Sequence, residues 1–190
     1  MEDEKDIQPG YIQFKWKLPN MILIAGDGRN VGKTTFARNI IRHLSEKAEI
    51  TAIKTSPHFH KLSEDLDIIH WNSDYVVAEE KGRSRKDSSL LLQAGAKRVF
   101  FIMAKQEYLE EAFSLISGML DHHIIIAESG GLNELIEPAV FFFVRNKQES
   151  VKKEQYLKFN PYMVTNSDQG FDFEVSKLDV RNKQITINID

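Results

Sequence analysis

Apolar residues along this chain fall into short unbroken runs, separated by stretches with helical spacing. Met21-Ile-Leu-Ile-Ala25, Ile50-Thr-Ala-Ile-Lys54, Val99-Phe-Phe-Ile-Met103, Ile124-Ile-Ile-Ala127 and Val140-Phe-Phe-Phe-Val144 each read as a strand covered on both faces. After the first run, Phe36, Ile40, Ile41 and Leu44 mark one face of a helix, and after the third, Leu109, Phe113, Ile116 and Leu120 do the same. A shorter helix is expected over Ser88-Ser-Leu-Leu-Leu-Gln-Ala-Gly95, closing on its glycine. Strands alternating with helices imply right-handed crossovers. The expected fold is therefore α/β, a mostly parallel sheet with helices on both faces, built as one domain over residues 1–190.

Three stretches depart from this rhythm. Residues 1–10 read as a solvated tail, and Tyr11-Ile-Gln-Phe-Lys-Trp-Lys17 alternates as a half-exposed strand that Pro19-Asn20 ends. Residues 58–86 are charged and weakly periodic, and read as a long functional or mobile loop with a basic cluster at Lys81, Arg83, Arg85 and Lys86. Phe173 to Val180, a turn at Arg181-Asn-Lys183, and Gln184 to Ile189 read as a β-hairpin. Strands 11–17 and 173–189 are expected to pair as an antiparallel flank on the parallel core.

Composition narrows the function classes. The chain carries 25 Lys and Arg against 28 Asp and Glu, a net charge of −3, which gives no basic footprint for general nucleic-acid binding. It has no cysteine, which excludes disulfides, thiolate zinc and a cysteine nucleophile. The apolar run Ala139–Val144 is far short of a membrane span, and Met1-Glu-Asp-Glu-Lys-Asp6 is acidic where a secretory signal would be basic. A soluble, cytoplasmic protein is expected.

The chemistry concentrates in Gly26-Asp-Gly-Arg-Asn-Val-Gly-Lys-Thr-Thr35, between a buried strand and an amphipathic helix. In that context a Gly-rich loop cradles polyphosphate: backbone N–H groups converge on the anion, and the helix adds free donors and its positive dipole end. Gly26, Gly28, Arg29, Asn30, Val31 and Gly32 would form the cradle. Lys33 would meet the β and γ phosphates, Thr34 would bind Mg²⁺ and Thr35 the α phosphate. Five residues, rather than the commoner four, separate Gly26 from Gly32.

A magnesium-bound nucleotide also needs carboxylates. Glu128 should emerge at the carboxyl end of a parallel strand, where open α/β sheets bind ligands, with Ser129-Gly-Gly131 turning beside it. Asp87 reads either as a helix N-cap or as a carboxylate near the metal. His58 and His60 lie two apart without a third metal ligand in view and read as solvated, whereas His122 and His123 read as structural. Lys81–Lys86 reads as a solvated surface or as a receiver of substrate phosphate, and Thr165-Asn-Ser-Asp168 as a polar turn or as a carboxylate for guanine.

Gly26–Thr35, Ala52–His60, Lys86-Asp-Ser-Ser-Leu-Leu-Leu-Gln-Ala-Gly-Ala96 and Ile125-Ile-Ala-Glu-Ser-Gly-Gly131 together resemble, in content and order, the molybdopterin-guanine dinucleotide biosynthesis protein B (MobB) family. The resemblance spans roughly residues 21–145. It implies a dimeric P-loop nucleotide-binding protein that assists molybdenum-cofactor assembly, with GTP or ATP and Mg²⁺ as ligands, weak hydrolysis, and a further protein of that assembly as partner. On this resemblance, Lys33 and Thr34 hold phosphate and metal, Asp87 and Glu128 stand near the metal, and Lys54 with Thr55–His60 faces a second ligand. Lys33, Asp87 and Glu128 would carry any catalysis. Arg29, at the tip of the loop, reads either as a cation for its own nucleotide or as one that reaches across a dimer. The longer loop and Glu128-Ser-Gly-Gly131 also resemble dethiobiotin synthetase, which implies an ATP-dependent ligase or small-molecule kinase as the alternative.

Overall fold

A computed structural model describes residues 12–82, 84–120, 123–147 and 150–188. The expected tail, Tyr11, Arg83, His122 and Ile189 lie outside the described residues. Strands are β1 (Trp16–Gly26), β2 (Ile50–Ser56), β3 (Leu66–Trp71), β4 (Tyr75–Glu80), β5 (Arg98–Ala104), β6 (Ile124–Glu128), β7 (Ile136–Asn146), β8 (Tyr162–Ser167), β9 (Gly170–Phe171), β10 (Leu178–Arg181) and β11 (Gln184–Ile187). The α-helices are α1 (Lys33–Leu44), α2 (Asp87–Gln93) and α3 (Leu109–Ser117).

The main sheet has the order β3-β4-β5-β2-β6-β1-β7-β8-β9. The strands from β5 to β8 in that order are parallel to their neighbours, and β3, β4 and β9 add antiparallel edges. Alternation along β1 sets the two faces of the sheet. Ile22 and Ile24 pack with Phe36, Ile40, Ile41 and Leu44 of α1 and Leu91 of α2. Met21, Leu23 and Ala25 pack instead with Leu109, Phe113 and Ile116 of α3. Helices thus cover both faces, as the run-and-gap pattern predicts.

Three expectations are corrected. Much of residues 58–86 is a hairpin, β3 and β4, which extends the sheet antiparallel beside β5. Asn72 makes its turn, its Oδ1 accepting the N–H of Asp74 at 2.9 Å and of Tyr75 at 2.8 Å. The strand expected over 11–17 does not end at Pro19-Asn20: from Trp16 it continues through them into β1 and pairs parallel with β7. The register breaks between Leu18 and Ile22, and such an irregularity accommodates a proline that cannot donate to the ladder.

The C-terminal hairpin forms, but it is shorter than expected, its first strand beginning at Leu178 after a helical turn at Val175–Lys177, and it stays out of the main sheet. β10 and β11 pair only with each other, and Leu178 and Ile185 pack against the face that α1 covers. The antiparallel flanks therefore come from β3–β4 and β9. Among the described residues no helix is long and apolar enough to cross a membrane.

Candidate functional site

The carboxyl ends of β1, β2 and β6 meet the first turn of α1 around a cavity of about 960 Å³. Strand register puts them level, with Ile24 of β1 beside Glu128 of β6, and Glu128 beside Lys54 of β2. The chain leaves β2 toward one end of the sheet, while β7 lies on the other side of β1. Such a divergence of connections opens a crevice at the strand ends.

The Gly26–Thr35 loop enters α1 through Gly32 at φ 95°, a left-handed conformation that a side chain would strain; a Cβ there would also stand 2.7 Å from Asn166 Nδ2. Gly26 is equally confined, since a Cβ would come within 2.8 Å of the Lys33 side chain. No side chain caps α1. Among the described residues, the backbone N–H groups of Gly32, Lys33, Thr34 and Thr35 have no acceptor, and all four residues line the cavity. Such donors, at the positive end of a helix dipole, form a site for an anion.

Lys33 lies along the loop, its Nζ donating to Gly28 O at 2.5 Å. Burial holds its pKa below the ordinary 10.5; Glu128 opposes this shift, and the ammonium groups of Lys54 and Lys153 add to it. A partly desolvated cation bonded to a carbonyl favours an incoming anion. Glu128 is 2% exposed and holds two partners: Thr34 Oγ1 donates to its Oε2 at 2.9 Å, and Lys54 Nζ donates to its Oε1. Lys54 Nζ also lies 3.3 Å from Asp87 Oδ2.

Of the two roles open to Asp87, the cap is not taken. Lys86 occupies the N-cap position without a side-chain cap, and Asp87 begins α2 as a half-exposed carboxylate facing Lys54. Behind it, buried Glu80 accepts from Ser88 Oγ at 2.6 Å and from the N–H of Gly82 at 2.9 Å, which fastens the start of α2 to the end of β4.

The remaining predicted residues spread around this centre. Arg29 is exposed at the loop tip and donates to His58 Nε2 at 2.8 Å, while His60 stacks on Phe101. Both histidines line the cavity, but among the described residues no three His, Cys, Asp or Glu side chains gather as metal ligands. Lys86 lines the cavity too, whereas Lys81 pairs with Glu79. His123 bridges β6 to Thr51 of β2 at 3.0 Å and to Glu49 at 2.9 Å, a structural role. Asp168 is exposed in the turn after β8 and does not line the cavity; from the same stretch, Asn166 Nδ2 reaches Val31 O at 3.2 Å.

Sequence reasoning missed the crossover from β7 to β8. Buried Asp27, inside the loop, accepts the N–H of Lys152 at 2.8 Å and of Lys153 at 2.8 Å, and Tyr156 OH donates to Gly130 O. This strap sets Lys153 on the cavity wall. The available signal was Asp27 itself, since a carboxylate within an anion-binding loop needs donors of its own.

No family model, curated protein or solved structure matches this chain.

Proposed function

We propose that this chain is a P-loop protein that binds a purine nucleoside triphosphate, GTP or ATP, with Mg²⁺ at the Gly26–Thr35 loop. Its role would be that of an accessory factor of the MobB kind, with slow hydrolysis. The observation that carries this reading is the open first turn of α1, whose N–H groups from Gly32 to Thr35 find no acceptor among the described residues and share one cavity with the partly desolvated ammonium of Lys33. Polyphosphate satisfies both at once.

The donor set fits magnesium, which takes one or two carboxylates and completes its shell with phosphate and water. Thr34 Oγ1 and Glu128 would hold it, with Asp87 nearby; the ion would neutralise charge on the phosphate oxygens. This chain's own groups do the rest: the loop N–H groups orient the phosphates, Lys33 adds a fixed charge, and Lys54 holds the Glu128 carboxylate in place. Neither Glu128 nor Asp87 is free of cationic partners, which suits slow rather than rapid activation of water.

The cavity runs on past the loop to Lys54, Thr55, His58 and Lys86, and this favours a second ligand beside the nucleotide. Under the alternative reading, that ligand is the acceptor of an ATP-dependent ligase or kinase related to dethiobiotin synthetase. Turnover strictly dependent on a small acceptor would select it, while weak hydrolysis without one selects the accessory factor. The test common to both is thermal unfolding against a nucleotide panel with and without Mg²⁺. Ligand at about 100 times its Kd adds about 2.7 kcal/mol, which raises the midpoint by roughly 5–10 °C at this chain length. An unmoved midpoint with every purine triphosphate would contradict the proposal.

A further inference from the structure

The strap between β7 and β8 is joined to both walls of the site. Asp27, 4% exposed and part of the loop, has its carboxylate turned to the N–H groups of Lys152 and Lys153 at 2.8 Å each. Tyr156, 5% exposed and packed on Phe141 and Phe143, donates to the carbonyl of Gly130, two residues beyond Glu128. Residue 153 is thus fixed at its backbone by Asp27, and its ammonium lies over the Tyr156 ring, 5.8 Å from the ring centroid. Its side chain is half-buried, lines the cavity, and has no carboxylate partner among the described residues.

Lys153 also stands close enough to Lys33 to weaken its hold on a proton. Two ammonium groups held near one another on rigid supports repel, unless an anion comes between them. Because the strap spans from Asp27 to Gly130, Lys153 belongs to the side of the cavity occupied by Lys33 and Glu128, where a terminal phosphate and its metal would lie.

We propose that Lys153 is a second phosphate-binding cation, supplied in cis by the β7–β8 strap and directed at the terminal phosphate of the bound triphosphate. This rests on the nucleotide reading of the loop. The strap then acts as a sensor of the phosphate chain: a triphosphate engages Lys33 and Lys153 together, and a diphosphate engages Lys33 alone. Asp27 is the positioning residue that makes this possible, through the backbone rather than through the ligand.

Isothermal titration of the full chain with Mg²⁺, comparing GTP with GDP and ATP with ADP, tests this. Lys153→Met is expected to lose about 10- to 100-fold in triphosphate affinity, the size of one charge-assisted contact, and to keep diphosphate affinity near that of the wild type. Lys153→Arg should retain most of the triphosphate affinity. Lys158→Met, which removes the same charge from an exposed position on the strap, should behave as wild type. An unchanged triphosphate affinity in Lys153→Met, or an equal loss for both phosphate lengths, overturns the assignment while leaving the loop reading intact. Wild-type protein that takes up no nucleotide overturns the loop reading, and this assignment with it.

Discussion

Lys33 concentrates the electrostatics of the site in one side chain. Its ammonium is partly desolvated, bonded to a loop carbonyl, and opposed by two other lysines. Lys33→Met should therefore weaken triphosphate binding by about 1.5–3 kcal/mol, or 10- to 100-fold in Kd, without lowering the unfolding midpoint of the free protein. Titration and thermal melts of the same sample check both halves. At this scale the sequence showed what a local motif can show. The loop, Lys33, Thr34 and Glu128 were placed from spacing and from the end of an apolar run, because strand and helix periodicity dictate where such residues emerge. The partners that hold them were illegible. Lys54 meets Glu128 at a sequence separation of 74, and Asp27 meets Lys153 at a separation of 126, and no local pattern carries that information.

Among the elements, α1 matters most, since it carries the loop's donors and is anchored by its apolar face. Phe36 is fully buried against Phe142, Phe171 and Phe173, which ties the helix to β7 and to the chain after β8. Phe36→Ala should cost about 3–5 kcal/mol of stability, read from urea unfolding. The β3–β4 hairpin is held differently, by the two-point pairing of Arg98 with Glu79 at 3.0 and 3.2 Å. Arg98 keeps the Glu79 carboxyl below its ordinary 4.5. A depressed carboxylate contributes stability that is present above 4.5 and lost as pH falls through the lower folded-state value. Between pH 4.5 and strongly acid pH, the unfolding midpoint of wild type should therefore fall more steeply than that of Glu79→Gln, as melts across that range would show.

The same hairpin marks the limit of periodicity. β3 is an edge strand with Ile68, Ile69 and Trp71 exposed, so its pattern carries no buried face to betray it. The Asn72 turn and the buried Tyr75–Ala78 run were the readable clues. For β1, Pro19 looked like a stop because its tolerance depends on a register break with β7, which only the pairing reveals.

Across the whole molecule, the order β3-β4-β5-β2-β6-β1-β7-β8-β9 places β1 inside the sheet and gathers Lys33, Lys54, Glu128 and Lys153 at one end of it. The class of fold was legible because alternating buried strands and amphipathic helices admit few arrangements. The antiparallel flanks were misassigned, since edge pairing depends on contacts between distant segments. The central claim is that this end of the sheet grasps a triphosphate. Isothermal titration of the folded protein with GTP and with ATP, Mg²⁺ present, tests it most directly. Saturable uptake of one nucleotide per chain, abolished or strongly weakened in Lys33→Met, is the predicted result; no heat of binding with either nucleotide would contradict it.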